Sequence, residues 1–453
     1  MSVQRDRFNN KFGVLMAMAG SAIGLGNMWR FPYLTAENGG AAFILLYIIL
    51  MITISLPIFI TEYLIGRRRR ANAFSAFRKL GHPEFRLIGL LAITAAVFIL
   101  SFYCVVGGWA VRYLFQACAL KFESAAVDYS AEFASFTSST YSPLLYTFIF
   151  LGMTAFVISK GVNKGIERFS KIMIMILFFI IILVAIRSVT LPGSIEGIRY
   201  LFVPDFSKVS AETLINALGQ SFFSLGLGAG IIVIYGSYVK SEDDITITAV
   251  FTAALDTLFA VIAGTAIIPA VYAVASINGY IPDVNAGPGL VFITLPNIFA
   301  SMPMGSLAAI LFFSSLLLAA VTSSISLLES AVSFIIEVWN TTRRTAVIAG
   351  FTICALLGIL CSLANGVLAD VRVFGLNIFD FFDKCASNIL MTGSGLLMVI
   401  FAGWIMRKKD FIDELSNNGN SKTPLWLIRT IYFLVKYAAP IGIIAIILGN
   451  ILL

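Results

Sequence analysis

Histidine is nearly missing from this chain of 453 residues: His82 stands alone, beside Pro83 in a basic stretch. That excludes a His-based catalytic centre and a multi-histidine metal site. Cysteine is sparse too. Cys104, Cys118, Cys354, Cys361 and Cys385 are scattered through apolar segments, with neither metal-ligand spacing nor a disulfide pattern. Charge is the third shortage. Only 12% of residues are Asp, Glu, Lys or Arg, against about 25% in a soluble domain. A soluble globular protein is thereby excluded. The net charge of +7 does not point to nucleic acid, because the basic residues sit in short loops between apolar segments. The polar N-terminus runs straight into a long apolar segment, so no cleavable signal peptide is expected. The one N-x-S/T sequon, Asn340-Thr341-Thr342, falls in an inner loop.

What is abundant is hydrocarbon. The chain is 59% hydrophobic, with a mean hydropathy of +0.93. A spanning helix needs about 20 apolar residues, and eleven segments qualify: 12–34, 41–65, 87–120, 143–158, 169–189, 211–239, 245–274, 307–339, 346–363, 378–406 and 425–453. The second is expected to stop at Arg67–Arg70, read as a topology determinant. Residues 123–142 read as a polar Ser/Thr-rich loop. The Pro-rich loop 278–304, with an apolar middle, is expected to fold back as short helices over the outer face. Arg5, Arg7, Lys11, Arg67–Arg70, Arg78, Lys79, Arg86, Lys160, Lys164, Arg168, Lys171, Lys240, Arg343, Arg344, Arg407, Lys408, Lys409, Lys422 and Arg429 fall on one side. That bias puts the N-terminus in the cytoplasm. Eleven spans then place the C-terminus outside.

The chain is organised around Gly20-Ser21-Ala22-Ile23-Gly24-Leu25-Gly26-Asn27, inside the first span. Glycine costs about 1 kcal/mol per helical position relative to alanine, and broken backbone in hydrocarbon survives only when buried or lining a wet cavity. The sixth span repeats the pattern at Ser224-Leu225-Gly226-Leu227-Gly228-Ala229-Gly230. Two Gly-interrupted spans in corresponding places of two halves point to a transporter binding site. Spans one to five and six to ten read as two five-helix repeats, inverted because the repeat unit is odd. The layout is therefore a tail 1–11, a first repeat 12–190, an outer loop 191–210, a second repeat 211–406, an inner loop 407–424 and a peripheral eleventh helix 425–453.

Polar groups inside spans are costly and are functional candidates. They are Asn27, Arg30, Glu37, Glu62, Tyr103, Gln220, Ser224, Asp256, Thr322, Ser323, Ser324, Glu329, Asp380, Asp383 and Lys384. Hard cations take oxygen ligands, which unwound backbone and Ser, Thr, Asn and Asp supply. Half-helix N-termini offer N–H groups to an anion. Together these parts describe a sodium-coupled site for a molecule with a carboxylate. Taken singly each has a plainer reading. Gly20 and Gly24 form a GxxxG packing motif, Thr322–Ser324 is interhelical glue, and Glu62 is a structural acid tying down the broken first span. Asp383 and Lys384 pair at a helix end, and Phe222 and Phe223 are lipid-facing or core aromatics.

The run GSAIGLGNMWRFP at 20–32, Glu37-Asn38-Gly39-Gly40, KGIERF at 164–169, GQSFFS at 219–224 and Thr322-Ser323-Ser324 resemble the signature of the neurotransmitter:sodium symporter family, its bacterial amino-acid transporters in particular. The resemblance implies an all-α polytopic protein with the LeuT-like 5+5 inverted repeat, eleven transmembrane helices with helices 1 and 6 unwound, and no enzyme activity. It implies two sodium ions, an amino-acid substrate and a prokaryotic inner membrane. One sodium would be held by Gly20, Ile23 and Ala319 carbonyls and the Thr322 and Ser323 hydroxyls. The other would use the Ala22 carbonyl, Asn27, Ser224, Asp256 and the substrate carboxylate. That carboxylate would also meet Leu25 and Gly26 N–H groups and Tyr103. The ammonium would meet carbonyls near Ala22, Phe223 and Gly226. Ile99, Ala229, Ser323 and Leu327 would line the pocket, with Phe223 as its lid. Arg30 with Asp380 would form an outer gate, and Arg5 with Glu337 an inner latch supported by Ser237 and Tyr238.

Four positions depart from the pattern. Asp256 stands where many members have Asn, and Ala260 where a bacterial member has Glu. Asp256 is expected to supply a fixed negative charge and make transport chloride-independent. Ala229 replaces a bulky aromatic, so a large hydrophobic or aromatic amino acid is expected. Met175 stands in span five where members carry a proline. The competing readings are a sodium-dependent sensor or channel on the same fold, and a membrane enzyme, for which Lys384 is the lone candidate lysine at depth.

Overall fold

A computed structural model describes residues 7–122, 127–278 and 289–452. Arg5, and with it the inner latch expected from Arg5 and Glu337, lies outside the described residues.

The first span is two helices, α1 (Lys11–Ala22) and α2 (Gly26–Glu37), bent by 55° at the break. Asn10 caps α1, its side chain accepting from the Gly13 N–H. Ile23 then turns extended at φ −69° and ψ 111°, and the helix restarts at Gly26. α3 (Ala41–Arg69) follows. It continues through Arg67–Arg69 instead of stopping before them, and ends where Arg70 turns left-handed at φ 46°. A short helix, α4 (Ala73–Lys79), leads to α5 (Pro83–Cys118).

The stretch read as a polar loop contains a helix, α6 (Tyr129–Ser138). Asp128 caps it by accepting from the Ser130 and Ala131 N–H groups. Tyr129 and Phe136 are buried, and Phe133 stacks on Phe292 at 5.6 Å. The serines and threonines between these aromatics hide the helical spacing. α7 (Tyr141–Ser159) and α8 (Val162–Val189) follow, then a short helix, α9 (Ile195–Phe202).

α10 (Ala211–Ser224) opens with a Ser210–Thr213 capping box. The chain then leaves helical geometry over 225–230 and re-enters it as α11 (Ile231–Ser237). Gly226, Gly228 and Gly230 take φ of 65°, 77° and 68°, a region only glycine enters without strain. α12 (Ile245–Asn278) holds Pro269 internally. α13 (Leu290–Ser301) is the short helix expected of the apolar middle of loop 278–304. It packs against α6, and the Tyr113 hydroxyl donates to its Phe292 carbonyl at 2.8 Å. α14 (Gly305–Trp339), α15 (Arg343–Leu363), α16 (Ile378–Ile405), the short helix α17 (Lys408–Leu415) and α18 (Leu425–Leu452) follow.

Nine helices among the described residues are long and apolar enough to cross a membrane, or ten when the bent first pair counts as one span. α14 is central, packed on α5, α7, α8 and α15. The two breaks, 23–25 and 225–230, meet beside α14 and α5, and that meeting makes the site.

Candidate functional site

A cavity of about 50 Å³ lies at the breaks. Ala22, Leu25, Gly26, Ile99, Tyr103, Phe223, Gly226, Ala229, Ser323 and Leu327 all line it, together with Asn27 and Ser224. Every position expected around a substrate is therefore in one place. Ile231 and Met391 join the apolar wall, and nothing in the sequence had singled them out. The Leu25 N–H donates to the Tyr103 hydroxyl at 3.2 Å. These are two of the groups expected to face a carboxylate, and they touch each other. The cavity allows no bulk on its backbone side: a Cβ at Gly24 would stand 2.5 Å from Ser323 Oγ and 3.0 Å from the Tyr103 hydroxyl.

Two oxygen clusters flank the cavity. In the first, the fully buried Asp256 carboxylate accepts from Asn27 Nδ2 at 2.8 Å, Ser224 Oγ at 2.8 Å and the Tyr47 hydroxyl at 3.2 Å. Asn27 Oδ1 accepts from the Gly24 N–H at 3.0 Å, tying the restart of the first span to its break. Tyr47 escaped the sequence reading, because one tyrosine on an apolar span carries no signal of what it faces. In the second cluster, Ser323 Oγ donates to the Ile23 carbonyl at 2.8 Å and lies 3.4 Å from the Gly20 carbonyl. Thr322 Oγ1 donates to the Ala319 carbonyl at 3.0 Å. Both clusters are all oxygen apart from the Asn27 amide nitrogen, with a single carboxylate between them. That chemistry suits a hard monovalent cation. No group of three or more His, Cys, Asp or Glu suited to a metal occurs among the described residues.

Glu62 is a structural acid, but not for the first span. Its Oε1 accepts from the Gly228 N–H at 2.6 Å, so it braces the second break. On the other side of that loop, Ser394 Oγ donates to the Gly228 carbonyl. The correction follows from chain geometry: α3 packs on α11, which carries Glu62 past 225–230 and not past 23–25.

Above the cavity lies a vestibule of about 350 Å³. Leu25, Gly26, Tyr103 and Phe223 line both spaces, so Phe223 stands at their junction. Arg30 and Asp380 line the vestibule without forming an ion pair within 4.0 Å. Instead the Arg30 guanidinium carbon lies 4.8 Å from the Phe223 ring centroid, and Asp380 accepts from Asn377 Nδ2 at 2.8 Å. Asp383 and Lys384 also line the vestibule and form no ion pair with each other, against the expected helix-end pairing.

The opposite face is closed. Phe8, 2% exposed, packs edge-on against Tyr235 and Tyr238 at 5.9 and 6.1 Å, and its N–H donates to the Tyr238 carbonyl. The Tyr238 hydroxyl donates to Glu329 at 2.6 Å, and Arg343 holds the other Glu329 oxygen at 2.6 Å. Ser237 Oγ donates to the Ile234 carbonyl. Glu337 accepts from the Asn72 N–H at 3.0 Å.

Arg67 does more than set topology. It is 4% exposed, donates to the Asp243 carbonyl at 2.5 Å, and pairs with Glu414 at 2.7 Å. It therefore clamps α17 to the link between α11 and α12.

Three comparisons bear on this arrangement. A family model described as the sodium:neurotransmitter symporter family matches residues 5–140 and 142–452. An uncharacterized sodium-dependent transporter of Bacillus subtilis (strain 168), YhdH, is 36% identical over 99% of this chain and 98% of its own length. Another, from Haemophilus influenzae, is 34% identical over 99% of this chain and 98% of its own. The crystal structure of MhsT in complex with L-phenylalanine superimposes with a TM-score of 0.88 at 38% identity, covering 98% of this chain and all of that one.

Proposed function

This chain belongs to the sodium:neurotransmitter symporter family, a family of transporters and not of enzymes, and we propose that it imports a hydrophobic or aromatic L-amino acid with two sodium ions, without chloride, by alternating access. The observation that carries the reading is the single cavity where both broken spans meet, flanked by the Asp256 cluster and the Ser323 cluster. The substrate carboxylate completes the Asn27, Ser224 and Asp256 set with the Ala22 carbonyl. Gly20, Ile23, Ala319, Thr322 and Ser323 hold the second ion. Because one anion closes the first ion's shell, substrate and sodium bind together or weakly. Ile99, Ala229, Leu327 and Met391 present an apolar wall to the side chain. The L-phenylalanine bound by MhsT agrees in class.

Counting α10 with α11 as one broken crossing gives eleven spans in two inverted repeats, N-terminus in the cytoplasm of a prokaryotic cell. Arg30 and Asp380 close over Phe223 as substrate binds, and Arg5 releases Glu337 as the inner face opens. Two sodium ions with a zwitterion carry two charges inward, about 4.6 kcal/mol at 100 mV. At 1.4 kcal/mol per decade that supports roughly a thousandfold accumulation.

The test is uptake of labelled amino acids into proteoliposomes under an inward sodium gradient. Phenylalanine, leucine, tryptophan and tyrosine should compete, and rates in chloride and gluconate should be equal. Uptake of a small amino acid that none of the four competes with would overturn the substrate class. Strong chloride dependence would overturn the role given to Asp256.

A further inference from the structure

On the far side of α14 from the cavity, an apolar groove of about 370 Å³ opens between α7, α8 and α14. Gly152, Met153, Phe156, Val157, Phe169 and Val321 line it. It faces lipid: Phe156 is 64% exposed and Met153 38%, both on a membrane-spanning helix. Gly152 leaves the groove unfilled, since a Cβ there would meet nothing within 4 Å.

The mouth of the groove is cationic. α7 ends at Ser159 and α8 begins at Val162, so the turn between them sits at the cytoplasmic surface given by the charge bias. Lys160 on that turn, and Lys164 and Arg168 along the start of α8, are exposed. The Lys160 ammonium lies 4.8 Å from the centroid of the Phe156 ring that walls the groove. Acidic headgroups attract such residues by about 1 kcal/mol each near a membrane surface.

We propose that this groove is a binding site for an acidic phospholipid of the inner leaflet. One acyl chain fills the space over Gly152 against Val321, and the headgroup phosphate is held by Lys160, Lys164 and Arg168. An acyl chain is the occupant because the groove opens to the bilayer and has no polar wall. The acidic headgroup follows from the charge at its mouth. Val321 immediately precedes Thr322, so the bound chain is backed directly onto the helix that carries the Ser323 cluster.

The test is lipid retention by the full-length protein, extracted from mixed phosphatidylcholine and phosphatidylglycerol bilayers and read by native mass spectrometry. The wild type should keep one phosphatidylglycerol in preference to phosphatidylcholine. The triple variant Lys160→Gln, Lys164→Gln, Arg168→Gln should lose that preference by roughly a hundredfold. Gly152→Leu, which fills open space, should lose both lipids while eluting as the wild type. Equal retention of the two lipids by the wild type, or an unchanged preference in the triple variant, overturns the proposal.

Discussion

Asp256 is a fully buried carboxylate with three side-chain donors and no cationic side chain within 4.0 Å among the described residues. A buried charge is costly unless it is paired, and the proposed sodium ion would supply the pairing that this cluster lacks among the described residues. Asp256→Ala should abolish sodium-dependent binding of labelled phenylalanine while the protein keeps its elution profile. Unchanged affinity in that variant would remove Asp256 from the ion site. Tyr47→Phe removes one donor of three and should act more mildly, costing about 1 kcal/mol and raising the sodium needed for half-maximal binding severalfold. At this scale the sequence was informative where residues cluster in motifs. Asn27, Ser224, Thr322 and Ser323 sit in runs that signal themselves. Tyr47, Ile231 and Met391 sit on ordinary apolar helices, and only the packing of those helices brings Tyr47 to Asp256 and the other two to the cavity.

Among the elements, the two broken helices decide the site. Glycine spacing made both breaks legible, and polar composition hid α6. The partner of Glu62 was not legible, because which break a neighbouring helix passes depends on tertiary packing. The second break is the more demanding of the two. Gly228 has φ of 77°, and a Cβ there would lie 2.0 Å from the Met391 carbonyl oxygen. Gly228→Ala should therefore lower the thermal midpoint by several degrees and weaken substrate binding. Gly393→Ala, where a Cβ meets nothing within 4 Å, should leave the midpoint in place. Equal midpoints for the two variants would show that α16 yields to the second break. Arg67 belongs to the same scale. A run of four arginines reads as a topology signal, yet its first member is buried and closes an inter-helix clamp. Its burial is set by α17, an amphipathic helix far along the chain whose Phe411 and Leu415 turn inward.

The whole molecule is open on one side and closed on the other. The vestibule reaches Phe223 from the face where Arg30 and Asp380 stand apart, and Phe8 seals the opposite face beneath Tyr235 and Tyr238. With the N-terminus on the cytoplasmic side, as proposed above, the open face is the outward one. In a background with Cys118 and Cys385 replaced by alanine, Asn388→Cys in the vestibule wall should react with a membrane-impermeant thiol reagent added outside. Sodium with phenylalanine should slow that reaction as the vestibule closes. The same rate with and without both ligands would contradict the assigned gate. The architecture was largely legible, because hydrocarbon permits few ways to satisfy backbone polar groups. Which face stands open was not, since it depends on side-chain pairings that exist only in the folded chain.

The central claim is that sodium and an amino-acid carboxylate share one site built from both helix breaks. The most direct measurement is equilibrium binding of labelled L-phenylalanine to the purified protein as sodium replaces potassium at constant ionic strength. The account predicts no measurable binding in potassium and saturable binding that tightens with sodium. Saturable binding of equal affinity in both salts would contradict it.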